Sequence, residues 1–288
     1  MTNNKSLGQR ILYFPLTRII IGIAVCFSIF SIAQLGIRRL LNLTGIKENI
    51  KPLIATSILA IIVLITYITL YRFYEQRKIT ELSTTGLAKN LIAGTILGAV
   101  LQALTIYIIY LNHGFSVISV NRFVSVLPAL GISFGAAMLE EILFRGIIFR
   151  ITEEKLGSYL ALAISAIIFG AAHLANPNST LVAATGIAVQ AGFLLGAAYI
   201  YSKNLWFPIA IHFAWNFTQG GIFGAAISGN VINKSLLTTK IEGPALISGG
   251  AFGPEGSLQA TLFCLMAAII LMIINHRQHK IIKPYWAK

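Results

Sequence analysis

Two adjacent glutamates, Glu140 and Glu141 in AAMLEEILFRG, lie in the middle of an apolar stretch. A carboxylate inside a membrane span is costly enough to indicate a functional site. Residues four apart on a helix share a face, so Glu141 and Arg145 are predicted to form an ion pair within their own helix. Glu140 is rotated by about 100° from Glu141. Glu140 is therefore expected to face a cavity and to act in acid–base chemistry.

Two further apolar segments carry polar side chains at helical spacing. The sequence FGAAH places Phe169 and His173 one turn apart, among small residues that favour close approach to the glutamate helix. The sequence IHFAWNF places His212 and Asn216 on one face, as an oxyanion site or a pair of water-positioning groups. Each of these side chains, taken alone, is equally consistent with hydrogen-bonded helix packing.

The composition excludes a soluble domain. Of 288 residues, 56% are hydrophobic and 11% are charged, and the mean hydropathy is +0.79. We predict an all-α polytopic membrane protein with about eight transmembrane helices, in a single integral membrane domain over residues 1–288. The predicted spans are approximately 19–35, 53–70, 91–111, 123–149, 160–174, 181–201, 205–226 and 258–274.

The basic residues predict the orientation. Most Lys and Arg fall in segments that share a side with the N-terminus, which indicates that both termini are cytoplasmic. Cytoplasmic loops and anionic lipid then explain the net charge of +13, and no nucleic-acid partner is expected. Cys26 and Cys264 lie in apolar spans and match no disulfide framework or metal-ligand spacing.

The remaining glutamates fall in segments that read as loops or span ends, so only Glu140 and Glu141 are expected to be shielded from water. The longest loop, 228–257, is rich in glycine and contains a GPEG turn. It is either a lid or a plain external loop. The glutamates other than Glu140 and Glu141 are Glu48, Glu75, Glu81, Glu153, Glu154, Glu242 and Glu255.

Depth along the helices tests whether the polar residues can meet. Glu140 lies ten residues before Arg150, and His212 lies nine residues after Lys203. Both are therefore about 14 to 15 Å from a cytoplasmic anchor. His173 lies eighteen residues beyond Lys155. It reaches the same level only if the polar turn ITEEKLGSY projects into the cytoplasm on extended helices.

Together, EEILFR, FGAAH and HFAWN resemble the successive motifs EExxxR, FxxxH and HxxxN of the CPBP family. That family includes type II CAAX prenyl proteases and the bacteriocin-processing or immunity proteins, also called Abi. The resemblance covers about residues 130–220, with all three motifs in family order on separate spans. It implies an intramembrane endopeptidase that acts on membrane-associated substrates, of the prenylated CAAX type or with a leader peptide.

The resemblance also implies roles for individual residues. The first glutamate activates water with help from the histidine of the second motif, and the third motif stabilises the oxyanion. Peptide hydrolysis needs such a base and such donors. The implied catalytic residues are Glu140, His173, His212 and Asn216, and the implied supporting residues are Glu141, Arg145 and Phe169.

A divalent metal such as zinc is the mechanistic alternative, with Glu140, His173 and His212 as ligands and a water site left open. The zincin pattern HExxH is missing, so the spacing does not require a metal. Metal-independent glutamate catalysis, with no cofactor required, is the favoured interpretation.

The competing class is a non-catalytic membrane protein, either a bacteriocin immunity scaffold or a transporter. Transporters commonly have repeated halves and interrupted helices, and the sequence indicates neither. The expected partners are membrane lipids and a membrane-anchored peptide or protein. The expected location is a prokaryotic plasma membrane.

Overall fold

The computed structural model describes residues 6–287. Lys5 and Lys288, which contribute to the predicted orientation, lie outside the described residues. The α-helices are α1 (Leu7–Leu12), α2 (Pro15–Asn42), α3 (Lys51–Tyr74), α4 (Leu87–Leu111), α5 (Leu127–Glu141), α6 (Arg150–Ala172), α7 (Leu181–Ile187), α8 (Leu194–Ser202), α9 (Trp206–Asn216), α10 (Ala245–Ser248) and α11 (Leu258–Arg277). Short 3₁₀ turns lie at Thr80–Leu82, Phe123–Val126, His173–Ala175, Gly250–Phe252, Pro254–Gly256 and Tyr285–Ala287.

Within the described residues, 6 helical stretches are long and apolar enough to cross a membrane. The predicted all-α polytopic membrane fold is confirmed, whereas the count of eight is not. Two predicted spans, 123–149 and 160–174, lie in one helical stretch, Phe123–Ala175, and α9 is not among the 6. The stretches are Pro15–Asn42, Lys51–Tyr74, Leu87–Leu111, Phe123–Ala175, Leu181–Ser202 and Leu258–Arg277.

The long stretch Phe123–Ala175 folds back on itself at Gly157. This residue has a φ of +76°, a left-handed conformation that suits glycine because it has no Cβ. The rings of Phe144 and Phe169 are 4.6 Å apart, whereas a straight helix would separate them by about 37 Å. The stretch is therefore an antiparallel helical hairpin.

The hairpin brings His173 towards the level of the glutamates. Glu140 precedes Gly157 by 17 residues and His173 follows it by 16 residues. Almost all of ITEEKLGSY is helical, on both sides of Gly157. His173 could reach the level of Glu140 only with such extended helices. The two helical arms on either side of Gly157 are therefore of similar length between this turn and the polar residues.

Glycines set the close approach of the spans. A Cβ at Gly131 would lie 2.5 Å from Leu53 Cα, and one at Gly135 would lie 2.9 Å from Thr56 Cβ, so α5 packs directly on α3. In the same way Gly192 packs on Ala166 of α6. Small residues at helix interfaces allow this approach inside a membrane, where packing contributes much of the stability.

The long loop contributes a small sheet beside the helices. Strand β1 (Phe115–Val120) pairs antiparallel with β2 (Leu237–Ile241), with an irregularity between Val117 and Ser119. The sheet joins loop 228–257, through β2, to the segment that follows α4, through β1. Part of this loop is therefore held by backbone hydrogen bonds.

Buried ion pairs tie together α2, the end of α3 and α6. The members of this network are Arg18, Arg77, Arg150, Glu75, Glu81 and Glu154. Glu75 contacts all three arginines, at 2.6 Å, 2.7 Å and 3.0 Å. Burial alone would raise the pKa of Glu75, but the arginines, Arg150 first among them, hold it below its usual value.

Three buried glutamates contradict the prediction that only Glu140 and Glu141 are shielded from water. Glu81 is 3% exposed, Glu153 is 5% exposed and Glu255 is 3% exposed, so Glu141 is not alone in being shielded from water, and all three are more buried than Glu140. Glu81 and Glu153 are paired with Arg77 and Lys203. Burial of these charges is tolerated because each has a cationic partner.

Candidate active site

The glutamate helix changes its hydrogen bonding at the site itself. Helix α5 ends at Glu141 and continues as π-helix over Ile142–Phe149. Two more π-helical segments, Ala188–Phe193 and Phe217–Ile222, follow α7 and α9. The last of these begins directly after Asn216. Such π-helical turns occur frequently at functional sites because they re-aim neighbouring side chains.

The predicted ion pair between Glu141 and Arg145 is present. Arg145 Nη1 lies 2.9 Å from Glu141 Oε1, and both side chains are 0% exposed. Arg145 Nη2 also donates to the Ala191 carbonyl at 2.6 Å and to the Gly192 carbonyl at 3.3 Å. Arg145 thus connects the glutamate helix with the helix that follows α6.

His212 of α9 contacts both glutamates. Its Nδ1 lies 2.9 Å from Glu141 Oε1, and its Nε2 lies 3.9 Å from Glu140 Oε2. A carboxylate only accepts hydrogen bonds, so Nδ1 carries the proton in this contact. Donation from Nε2 as well requires the imidazolium form, which is attracted to two adjacent carboxylates.

Glu140 retains an oxygen without a hydrogen bond. Its side chain is 28% exposed, and its Oε2 is buried with no hydrogen bond to any described residue. Glu141, in contrast, accepts from Arg145 and His212 through Oε1. Glu141 Oε2 also lacks a hydrogen bond to any described residue, so the two glutamates differ in that only Glu141 is held through one of its oxygens.

His173 is held by its own helix end. Its Nδ1 lies 2.8 Å from the Phe169 carbonyl, to which it donates, so Nε2 is the nitrogen left for other contacts. The His173 ring stacks on the Phe169 ring at 4.6 Å, and the Arg145 guanidinium lies 4.8 Å from the same ring. Among the described residues, no hydrogen bond or ion pair joins His173 to Glu140.

The small residues of α6 have a different partner from the predicted one. A Cβ at Gly170 would lie 2.5 Å from the Ala184 carbonyl and 2.7 Å from Ala188 Cβ. This face packs on the 181–202 span, so the prediction that it presses against the glutamate helix is wrong. Phe169 on α6 does contact the continuation of the glutamate helix, since its ring lies 4.6 Å from the Phe144 ring.

Asn216 completes the group. It is the last residue of α9, is 7% exposed, and lines a cavity of about 40 Å³ together with His173 and His212. The cavity walls are mainly apolar. All the predicted site residues thus lie on α5, α6, α9 and their continuations.

The sequence interpretation missed two residues that line this cavity. Glu255 lies in the turn Pro254–Gly256 and Gln190 lies in a π-helical segment, and both are 3% exposed. The GPEG turn was the available signal for Glu255. A long connection gives no indication of which of its residues fold inwards.

The geometry does not form a metal centre. In the part of the chain that the structure describes, no three His, Cys, Asp or Glu side chains are grouped so that they could hold a metal ion. Both histidines use Nδ1, one on a carboxylate and one on a carbonyl, which leaves Nε2 of each ring for other contacts. The zinc alternative with Glu140, His173 and His212 stays a prediction.

Residues 122–218 match the family model for type II CAAX prenyl endopeptidase Rce1-like proteins. This segment contains all three motifs and every residue predicted from them. A protein of Bacillus subtilis (strain 168), named as a candidate membrane peptidase, YdiL, is 37% identical over 79 residues. The motif core of this chain is therefore similar to the CPBP family of intramembrane peptidases.

The CPBP resemblance is concentrated in the motif core. The alignment with YdiL covers 27% of this chain and 30% of that protein. No solved structure matches the chain. Glu255 lies outside the CPBP segment, whereas Gln190 lies within it.

Helix α9 owes its position to a glycine contact with α4. A Cβ at Gly98 would collide with the backbone carbonyl of Ile211, next to His212. We expect Gly98→Ala to destabilise the protein by about 1–3 kcal/mol, since a backbone atom cannot rotate away. The midpoint of thermal unfolding in detergent measures this effect.

Gly36→Ala is the matched control, because Gly36 lies in helix α2 and a Cβ there would meet no other described side chain or neighbouring helix within 4 Å. Both substitutions gain the same helix propensity. Equal unfolding midpoints for the two variants would contradict the proposed contact.

Proposed function

We propose that this chain is an intramembrane endopeptidase that hydrolyses membrane-associated peptides with water activated by Glu140. One observation carries the proposal: Glu140, which has no hydrogen bond to a described residue, lies beside a histidine that is held by Glu141, the partner of Arg145. The CPBP match over the same residues supports a peptidase. Burial of such a group without a catalytic use would be costly.

Glu140 is the general base of the proposed mechanism. Its free Oε2 takes a proton from water as the hydroxide attacks the peptide carbonyl, and the proton passes to the leaving amine. His173 holds the water through Nε2, since its Nδ1 is used by the Phe169 carbonyl. His212 and Asn216 donate to the oxyanion, which preorganised donors stabilise strongly.

Glu141, Arg145 and Phe169 orient this group. Glu141 fixes the His212 ring through Nδ1, as a hydrogen bond to one imidazole nitrogen directs the other. Arg145 holds Glu141, and its guanidinium lies against the Phe169 ring that supports His173. No cofactor takes part in the proposed steps.

The proposed setting is a prokaryotic plasma membrane with both termini in the cytoplasm. The substrates would be membrane-anchored proteins, either prenylated CAAX-type proteins or peptides with leader sequences. The described helices are those of an integral membrane protein, whose surroundings are lipids.

A library of membrane-anchored peptides incubated with the purified protein tests the proposal. We expect discrete cleavage products, with the same yield in the presence of a chelator. Peptide binding without any product would identify a non-catalytic scaffold and overturn the proposed activity. Activity that disappears with chelator and returns with zinc would overturn the metal-independent mechanism.

A further inference from the structure

Loop 228–257 places a carboxylate inside the protein. Glu255 is 3% exposed and lines the same cavity as His173, His212 and Asn216. It lies outside the segment that matches the CPBP family. The proposed hydrolysis assigns no role to this residue.

Several contacts hold Glu255 in place. The Ser228 amide donates to Glu255 Oε1, and Gln190 Nε2 donates to the Glu255 carbonyl at 2.7 Å. Gly253 has a φ of +111°, and a Cβ there would collide with the Ala226 carbonyl. The inward position of Glu255 is therefore defined by both backbone and side-chain contacts.

The loop does not need a charge for this anchoring. Phe252, 3% exposed, already packs in an apolar cluster with Phe169 and Ile187. An apolar residue at position 255 would anchor the turn without the cost of burying a carboxylate. The presence of glutamate at this position therefore indicates a role in the cavity.

Glu255 also lacks a lysine or arginine partner among the described residues. Within residues 6–287, no lysine or arginine forms an ion pair with it, in contrast to Glu75, Glu81 and Glu153. Burial raises the pKa of Glu255, opposed by the Ser228 amide and by His173. A cation that entered the cavity would supply the missing counter-charge.

The cavity walls suit the stem of a basic side chain. Ile187, Leu194, Leu195 and Ile211 provide apolar surface along the cavity, and Trp215 adds an indole ring. Lysine and arginine bury their methylene stems against such surface while the charged end finds a carboxylate. An aromatic face adds attraction for the cation.

We propose that Glu255 determines specificity by binding a lysine or arginine side chain of the substrate close to the scissile bond. The inference rests on the proposed peptidase function, since His173, His212 and Asn216 would hold that bond at the same cavity. It names a substrate class, peptides with a basic residue at the cleavage site.

Matched peptides that carry lysine or norleucine at each position around the cleavage site test the inference. With the parent protein we expect kcat/KM to be higher for lysine at one position. Glu255→Gln, which keeps an oxygen for the Ser228 amide, should lower kcat/KM for the lysine peptide by roughly 30-fold or more. The norleucine peptide should be cleaved at a nearly unchanged rate.

Glu242→Gln is the control, because Glu242 lies in the same loop with its side chain 63% exposed. It should retain the parent's preference. If the parent cleaves both peptides equally at every position, or if Glu255→Gln keeps the preference, the inference is wrong while the peptidase function stands. If the parent cleaves neither peptide, the proposed function fails and the inference fails with it.

Discussion

Glu140→Gln is expected to lower kcat/KM for peptide cleavage by roughly 10²–10⁴-fold, the usual contribution of a general base. The carboxamide keeps the shape of the side chain but cannot take a proton from water. Glu140 Oε2 has no hydrogen-bond partner among the described residues, so folding should not suffer. Cleavage assays and thermal unfolding of the same preparation separate the two effects.

Peptide binding should persist in Glu140→Gln, since the substitution leaves His212 and Asn216 in place. Glu242→Gln, at the exposed glutamate, controls for the loss of one negative charge. Turnover by Glu140→Gln equal to that of the parent would exclude Glu140 as the base.

Arg145→Met is expected to destabilise the protein by about 3–5 kcal/mol, because it leaves the Glu141 carboxylate buried without its cation. The pair is 0% exposed on both sides. Arg38→Met, at an exposed arginine, should have an effect within about 0.5 kcal/mol. Reversible unfolding in detergent measures both variants.

The double variant Glu141→Gln with Arg145→Met distinguishes the ion pair from simple loss of packing. Removal of both charges leaves no unpaired ion, so the double variant should be more stable than the sum of the single effects predicts. Additive losses would show that the two side chains contribute independently. The contacts of Arg145 with the Ala191 and Gly192 carbonyls account for the loss that remains.

Helix geometry alone was sufficient for the pair Glu141–Arg145. Residues four apart on a helix meet wherever the helix is placed, and a membrane span must be helical or closed into a barrel to satisfy its backbone. The same rule separated an open Glu140 from a paired Glu141. Composition was sufficient for the all-α membrane fold, because a mean hydropathy of +0.79 leaves no soluble alternative.

Contacts between helices could not be predicted in this way. The sequence placed His173 against the glutamate helix through small residues, but those residues pack on the 181–202 span. His212 reaches Glu141 of α5, while on another side Gly98 lets α9 approach α4 closely. Several helices have a face that carries glycine. The helix on which each such face packs depends on the arrangement of all the spans together.

The burial of several glutamates could not be predicted from the sequence either. Glu81 and Glu153 looked like loop residues, and only the folded chain supplies the arginine and lysine that offset the cost of their burial. Glu255 belongs to a connection whose local sequence predicts a turn and nothing about its direction.

By itself, the sequence determined that this chain is a helical membrane protein with three polar motifs of the CPBP type, since periodicity and hydropathy are local properties. The tertiary structure decided which motifs touch: the reversal at Gly157 aligns the two halves of the hairpin, and the loop brings Glu255 beside them. Those contacts join residues far apart in the chain, and close packing of the whole molecule selects them.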